Sequence, residues 1–97
     1  MVITEVTVSI RDEDKLKAFV NVTFDDCFVV RGMKVIKGAT GYFVSMPSRR
    51  MTDGTYRDIA HPITNEFREH VERAILKQYK EEMRKEGLPP DPDLANY

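Results

Sequence analysis

The sequence predicts an α+β domain: an antiparallel sheet of four to five strands followed by one long C-terminal helix, assembled as a symmetric homodimer. Three observations carry that expectation. Two early segments, 2–10 and 16–24, alternate apolar and polar residues with a period of two. A later segment repeats apolar residues every four positions, from Phe67 through Val71, Ile75 and Tyr79 to Met83. Strands followed by a single helix give segregated layers, with the helix on one face of the sheet. At 97 residues the chain is one domain, divided here into a folded unit, 1–87, and a short Pro-containing tail, 88–97.

The elements follow in order. In the first segment Val2, Thr4, Val6, Val8 and Ile10 share a face, and Glu5, Thr7 and Ser9 oppose it. Arg11–Lys15 is entirely charged and reads as a turn. Leu16, Ala18, Val20, Val22 and Phe24 then form a second inward row, so the two runs predict a hairpin. The next segment, 28–36, is apolar on both faces, with Phe28, Val30 and Ile36 on one and Val29, Met33 and Val35 on the other. Such a strand needs cover on both sides, and Gly32 within it marks a bulge or a close approach. Lys37–Gly41 holds two glycines and reads as a turn. Residues 42–46 form a fourth strand, ended by Pro47.

The helix begins after Pro62, with Thr64 or Asn65 as the cap. Ala74 and Leu76 widen its apolar face, and Gly87 followed by Pro89 and Pro90 stops it. One helix covers one face of the sheet. The apolar second face of the third strand has no second helix to cover it, and a second copy of the chain is the economical cover.

Composition narrows the function. Hydrophobic residues make up 41% and charged residues 32% of the chain, values of an ordinary soluble domain. No apolar run approaches the ~18 residues that a membrane span needs, so no membrane partner is expected. The first ten residues carry Glu5 and no basic start, unlike a signal peptide. The single cysteine, Cys27, cannot form an intrachain disulfide and fits a reducing compartment. The expected location is cytoplasmic.

Net charge is −1, which argues against indiscriminate coating of nucleic acid. The charge is nevertheless unevenly placed. Between Cys27 and Thr52 stand Arg31, Lys34, Lys37, Arg49 and Arg50 with no acidic residue, a basic island between acidic ends. At its edge a polar segment from Pro47 to Ile63 links the fourth strand to the helix and adds Arg57. A connection that long within a small domain is uncommon and is often functional. Its guanidinium forks suit phosphate oxygens, and Arg49 or Arg50 has the reach for a base edge. The plain alternative is a solvated loop in which the arginines pair with Asp53 or Asp58. Asp53-Gly54 reads as a tight turn and Asp58 as a structural partner of the loop.

At residues 28–63 the sequence resembles the stage V sporulation protein G family, SpoVG, the bacterial septation regulators. The pieces that carry the resemblance are FVVRGMKVIKGATGYFVSMPS, DGTYRDIAHPI, and the helix with its Tyr79. Residues 1–80 fit in order and spacing. The resemblance implies a small α+β dimer that binds DNA, and in some members RNA, and that influences septum formation and sporulation as a pleiotropic regulator. The chain departs from the pattern after Gly87, where several relatives carry a longer acidic tail.

The helix supplies a second group of cations. Arg73, Lys77, Lys80 and Arg84 are spaced four, three and four, which at 100° per residue gathers them within ~60° opposite the apolar face. The stripe is read as a nucleic-acid contact that a two-fold dimer presents twice. Acids early and bases late also complement the helix dipole, and Glu69–Arg73 and Glu81–Lys85 have favourable i,i+4 spacing. Arg68, in the first turn, sits where a phosphate is favoured, although Glu66 and Glu69 flank it. The nucleic-acid-binding set is therefore Arg49, Arg50, Arg57, Arg68, Arg73, Lys77 and Lys80.

Other chemistry finds little support. His61, His70 and Cys27 lack metal-ligand spacing; His61 reads as a hydrogen-bonded packing residue and Cys27 as a small buried group. No nucleophile–base pair is spaced for catalysis, and the glycine turn lacks the Lys-Ser/Thr ending of a phosphate-binding loop. Phe19, Tyr42 and Tyr56 have the rings to stack on single-stranded bases, against a plainer place in the core or a dimer interface. No metal, cofactor, small-molecule substrate or catalytic residue is expected. The competing reading is a protein-interaction module of the division machinery, with the same segment docking an acidic partner.

Overall fold

The computed structural model describes residues 1–97. Four antiparallel strands, β1 (Ile3–Ile10), β2 (Leu16–Phe24), β3 (Phe28–Gly38) and β4 (Gly41–Ser45), form a sheet in sequence order. A two-stranded ribbon, β5 (Ser48–Arg50) with β6 (Tyr56–Asp58), stands apart from it. One helix, α1 (Asn65–Lys85), and a 3-10 turn, Pro92–Leu94, complete the chain. The α+β expectation holds, and the segment read as a loop contains the ribbon.

The core lies between one face of the sheet and α1. Ala18, Val20, Val22, Phe24, Met33, Val35, Val44, Val71, Ile75, Leu76 and Tyr79 are all buried there, the larger apolar side chains contributing about 1.5–3 kcal/mol each. The helix packs against both edge strands, β1 and β4.

Bulges revise the faces that strict alternation assigns. The register between β1 and β2 slips between Ile3 and Glu5, so Ile3 joins Val6, Val8 and Ile10 against the core while Val2 and Thr4 are exposed. A slip between Leu16 and Ala18 takes Leu16 out of the inward row and pairs it with Ile36. In β3 the slip falls at Gly32, whose φ is +84°. Arg31 and Gly32 together oppose the single residue Asn21, and the phase changes. Val30, Met33 and Val35 therefore share the helix side, and Ile36 turns outward. A Cβ on Gly32 would lie 3.6 Å from the Pro47 side chain, an ordinary contact, so the glycine answers to the bulge and its positive φ and not to a close approach.

The β2–β3 turn sets consecutive aspartates in left-handed conformation, Asp25 at φ 52° and Asp26 at φ 54°. This is the geometry of a type I′ hairpin turn, which asparagine, aspartate and glycine tolerate best. The start of β1 holds it: Val2 N donates to Asp25 Oδ1 (2.8 Å), Asp25 N to the Val2 carbonyl (2.8 Å), and Asp26 N to Thr4 Oγ1 (3.0 Å). Cys27, expected to be buried, lies exposed in this turn. The hairpin needs its backbone at the tip, beyond the reach of the core.

Thr64 caps α1, its Oγ1 accepting from Phe67 N at 3.1 Å. At the other end Leu88 N donates to the Met83 carbonyl and Gly87 N to that of Arg84, with Gly87 at φ 73°. This is a Schellman motif, and it explains the glycine. The last residues then fold back. Leu94 is buried, and its 3-10 turn packs on both α1 and β4. Asp91 fixes the segment by accepting from Lys37 Nζ and Tyr42 Oη, each at 2.7 Å, and by capping Asp93 N at 2.9 Å. No helix is long and apolar enough to cross a membrane.

The sheet's second face stays open. Phe19 is 36%, Val29 44% and Phe43 48% exposed, with Leu16 and Ile36 beside them. The Arg11 guanidinium lies over the Phe19 ring at 5.2 Å.

Candidate nucleic-acid interface

The ribbon β5–β6 presents the first group of cations, and its local sequence explains its shape. Met46 and Pro47 are buried where the chain leaves the sheet. At the tip Asp53 accepts from Thr55 N (3.0 Å) and Thr55 Oγ1 (2.6 Å), and Gly54 takes φ 89°. The Thr55 hydroxyl, with the Thr55 amide, holds the Asp53 carboxyl below the usual carboxylate range. Asp53 is thereby committed to the turn, as expected.

Ladder register decides what the ribbon displays. Arg49 pairs with Arg57, Arg50 with Tyr56, and Ser48 with Asp58. Backbone bonds from Met51 N to the Thr55 carbonyl and from Ile59 N to the Pro47 carbonyl bracket the ribbon at 2.7 and 2.8 Å. Alternation between them places Arg49 and Arg57 at a hydrogen-bonded pair, with Cα atoms about 5.5 Å apart and both side chains on one face. Arg50 lies on the opposite face with Tyr56, which is 68% exposed.

Two guanidinium groups at ~6 Å repel by about 0.7 kcal/mol in water, and directly opposed like charges destabilise a strand pair. No carboxylate relieves this one. The ion pairs of the chain are Lys37–Asp91, Arg84–Glu81 and Lys85–Glu82. Asp58, expected to pin the segment, takes part in none of them. All six residues of the ribbon strands are exposed. An exposed pair of cations in fixed register, without a carboxylate, is a site that an anion stabilises.

The helix stripe is placed differently. Lys77 is exposed and in no ion pair. The Arg73 guanidinium lies over the Tyr97 ring at 5.8 Å, and Lys80 Nζ donates to the Tyr97 carbonyl at 2.9 Å. Arg84 pairs with Glu81, lowering the Glu81 carboxyl and raising the arginine. The i,i+4 pairs expected from spacing give way to Arg84–Glu81 and Lys85–Glu82, both i,i+3. Arg68 is half-buried in the first turn. The structure therefore brings Arg49 and Arg57 together, sets Arg50 back to back with them, and leaves Arg68, Arg73, Lys77 and Lys80 on a separate element.

Alternation along the sequence did not disclose the Asp91 network. Asp91 falls to about 2 through hydrogen bonds from Lys37, then Tyr42 and the Asp93 amide. Lys37 rises with it, and Tyr42 is pushed up by burial and then by Asp91. One member of the basic island is thus neutralised. The signal was present: Asp before Pro is the cap-and-first-turn pattern. A second missed feature is an apolar cavity of about 480 Å³ at the start of α1, lined by Phe28, Met46, Pro62 and Phe67 among others. His61, expected to be a packed residue, is exposed at its rim.

The SpoVG family model matches residues 1–81. The chain belongs to the SpoVG family. Relatives named "Putative septation protein SpoVG" agree with that membership. One from Anaeromyxobacter sp. (strain Fw109-5) is 56% identical over 89 residues, covering 92% of each chain. One from Myxococcus xanthus is 52% identical over 80 residues, covering 82% of this chain and 81% of its own. One from Bdellovibrio bacteriovorus is 49% identical over 87 residues, covering 90% and 81%. The SpoVG match encloses the ribbon and the helix through Glu81 and stops short of the folded-back segment 88–97.

Proposed function

We propose that this SpoVG-family chain is a dimeric cytoplasmic regulator that binds nucleic acid, DNA or RNA, and acts in septum formation and sporulation. The observation that carries this reading is the Arg49–Arg57 cross-strand pair, exposed and without a carboxylate. Backbone phosphates supply the anion that such a pair lacks, and phosphate contacts give affinity and register. Family membership supports the septation role through the names of the relatives. The dimer is supported by the open apolar face around Phe19, Val29 and Phe43, which a second copy would bury. A small-angle scattering mass equal to one chain at micromolar concentration contradicts the dimer.

One observation favours a second reading. Ile63, 91% exposed, lines the apolar cavity, and Ile59, 68% exposed, precedes Ala60 of that lining; exposed apolar clusters mark protein contacts. A division-machinery partner with an acidic segment would use the same region. A mobility-shift titration with pure protein at physiological salt separates the two. Retarded duplex DNA supports the nucleic-acid reading. No shift for DNA or RNA supports the protein partner.

A further inference from the structure

We infer that the end of the folded-back segment, Ala95–Tyr97, is a removable cover on the basic face of α1, competing with nucleic acid for Arg73 and Lys80. The inference rests on the nucleic-acid reading above and adds to it an occupant of the helix face supplied by the chain itself.

The segment has two parts with different physics. The first is an anchor. Leu94 is buried to 1% exposure, and Asp91 holds Lys37 and Tyr42 through 2.7 Å bonds. The second part, after Leu94, contributes no buried residue: Ala95 and Asn96 are exposed and Tyr97 is partly so. Its contacts are Tyr97's own: the ring packs against the edge of the core and lies under the Arg73 guanidinium, and the carbonyl accepts from Lys80. Both contacts use features that a nucleic acid also offers, an aromatic face for a guanidinium and an oxygen acceptor for an ammonium. An exposed cation–π contact shifts an equilibrium by roughly two- to fivefold, too little to resist a polyanion that engages several cations at once. The anchor keeps the cover close after it opens, so reclosure is intramolecular. Lys77, between the two covered cations on the same stripe, remains free as a first contact. Lys77, Lys80, Leu94 and Tyr97 line a common groove between the segment and the helix.

Tyr97→Ala in the full chain removes the ring and leaves the anchor intact. Two readouts apply. The first needs no nucleic acid: acetylation by an N-hydroxysuccinimide ester, read lysine by lysine by mass spectrometry. Lys80 is expected to react more slowly than Lys77 in the native chain and several-fold faster in Y97A. Equal rates in the native chain overturn the cover. The second is affinity for a 30-base-pair duplex across a salt series. Each additional phosphate neutralised by the protein adds about 0.9 to the slope of log K against log salt, roughly eightfold at 0.1 M. The duplex displaces the cover from the native chain, so both proteins make the same phosphate contacts: Y97A is expected to keep the native slope and to bind about two- to fivefold tighter. If Lys80 is unmasked while affinity stays unchanged, competition is refuted, and binding through the ribbon stands. If neither protein binds the duplex, the nucleic-acid reading fails and competition fails with it, whatever the labelling shows.

Discussion

The strongest consequence of the ribbon's register is that its arginines should matter for binding and count against folding. The test is Arg49→Gln/Arg57→Gln, which keeps the aliphatic stems and removes both charges from one face. If each arginine contacts a phosphate, the double variant loses about two contacts. The slope of log K against log salt becomes shallower by about 1.8, and affinity at 0.1 M falls by about 60-fold. The loss shrinks toward nothing as salt approaches 1 M, because the counterion-release contribution vanishes there. Stability should move the other way. Opposed guanidiniums at ~6 Å repel by at most about 0.7 kcal/mol in water before salt screening, and no carboxylate offsets the repulsion. The variant should melt at the wild-type temperature or a few degrees above it, given roughly 4–8 °C per kcal/mol for a domain this size. Fluorescence anisotropy on a labelled duplex and thermal melting by circular dichroism read the two effects. Arg50→Gln, on the opposite face of the ribbon, is the comparator. A double variant with the wild-type slope, or one that melts well below wild type, refutes the reasoning.

Two further outcomes test the rest of the fold. Leu94→Ala should cost about 2–5 kcal/mol in urea unfolding, because the 3-10 turn carries a core residue; a loss under about 1 kcal/mol would mean the segment does not close the core. The Asp91 carboxyl, lowered from 3.8 to about 2, contributes stability that is complete above pH 4 and lost as pH falls through 2. Lys37 and Tyr42 are both raised, so their contribution is present below pH 10 and is lost in alkali. Asp91→Asn should cost about 1 kcal/mol at neutral pH and flatten the acid limb between pH 4 and 2. An acid limb identical to wild type would remove Asp91 as its source.

The layers were legible in the sequence because they depend on local periods. Alternation locates β1 and β2, the glycine turn and Pro47 bracket β4, and the four-residue repeat with Gly87 locates α1 and its end. Face assignments failed where a single inserted residue changes the phase, at Thr4, around Lys17 and at Gly32. Only Gly32 carries a local mark of its bulge. Cys27 was misplaced because small apolar character says nothing about a tight hairpin whose tip must lie outside the core. The ribbon was missed because three-residue strands are too short to show a period. Yet its register is what turns Arg49 and Arg57 from two loop cations into an opposed pair. The tail looks detached because Asp91, Leu94 and Tyr97 belong to no repeating pattern, and the partners of Asp91 (Lys37 and Tyr42) and of Tyr97 (Arg73 and Lys80) lie far away in sequence.

The most direct test of the central claim is a two-dimensional amide correlation spectrum of the isotopically labelled protein, titrated with duplex DNA at physiological salt. The account predicts that the largest shifts fall between Ser48 and Asp58, follow DNA concentration to saturation, and include Lys77 on the helix. A spectrum unchanged at saturating DNA, or one whose shifts avoid the ribbon, contradicts it.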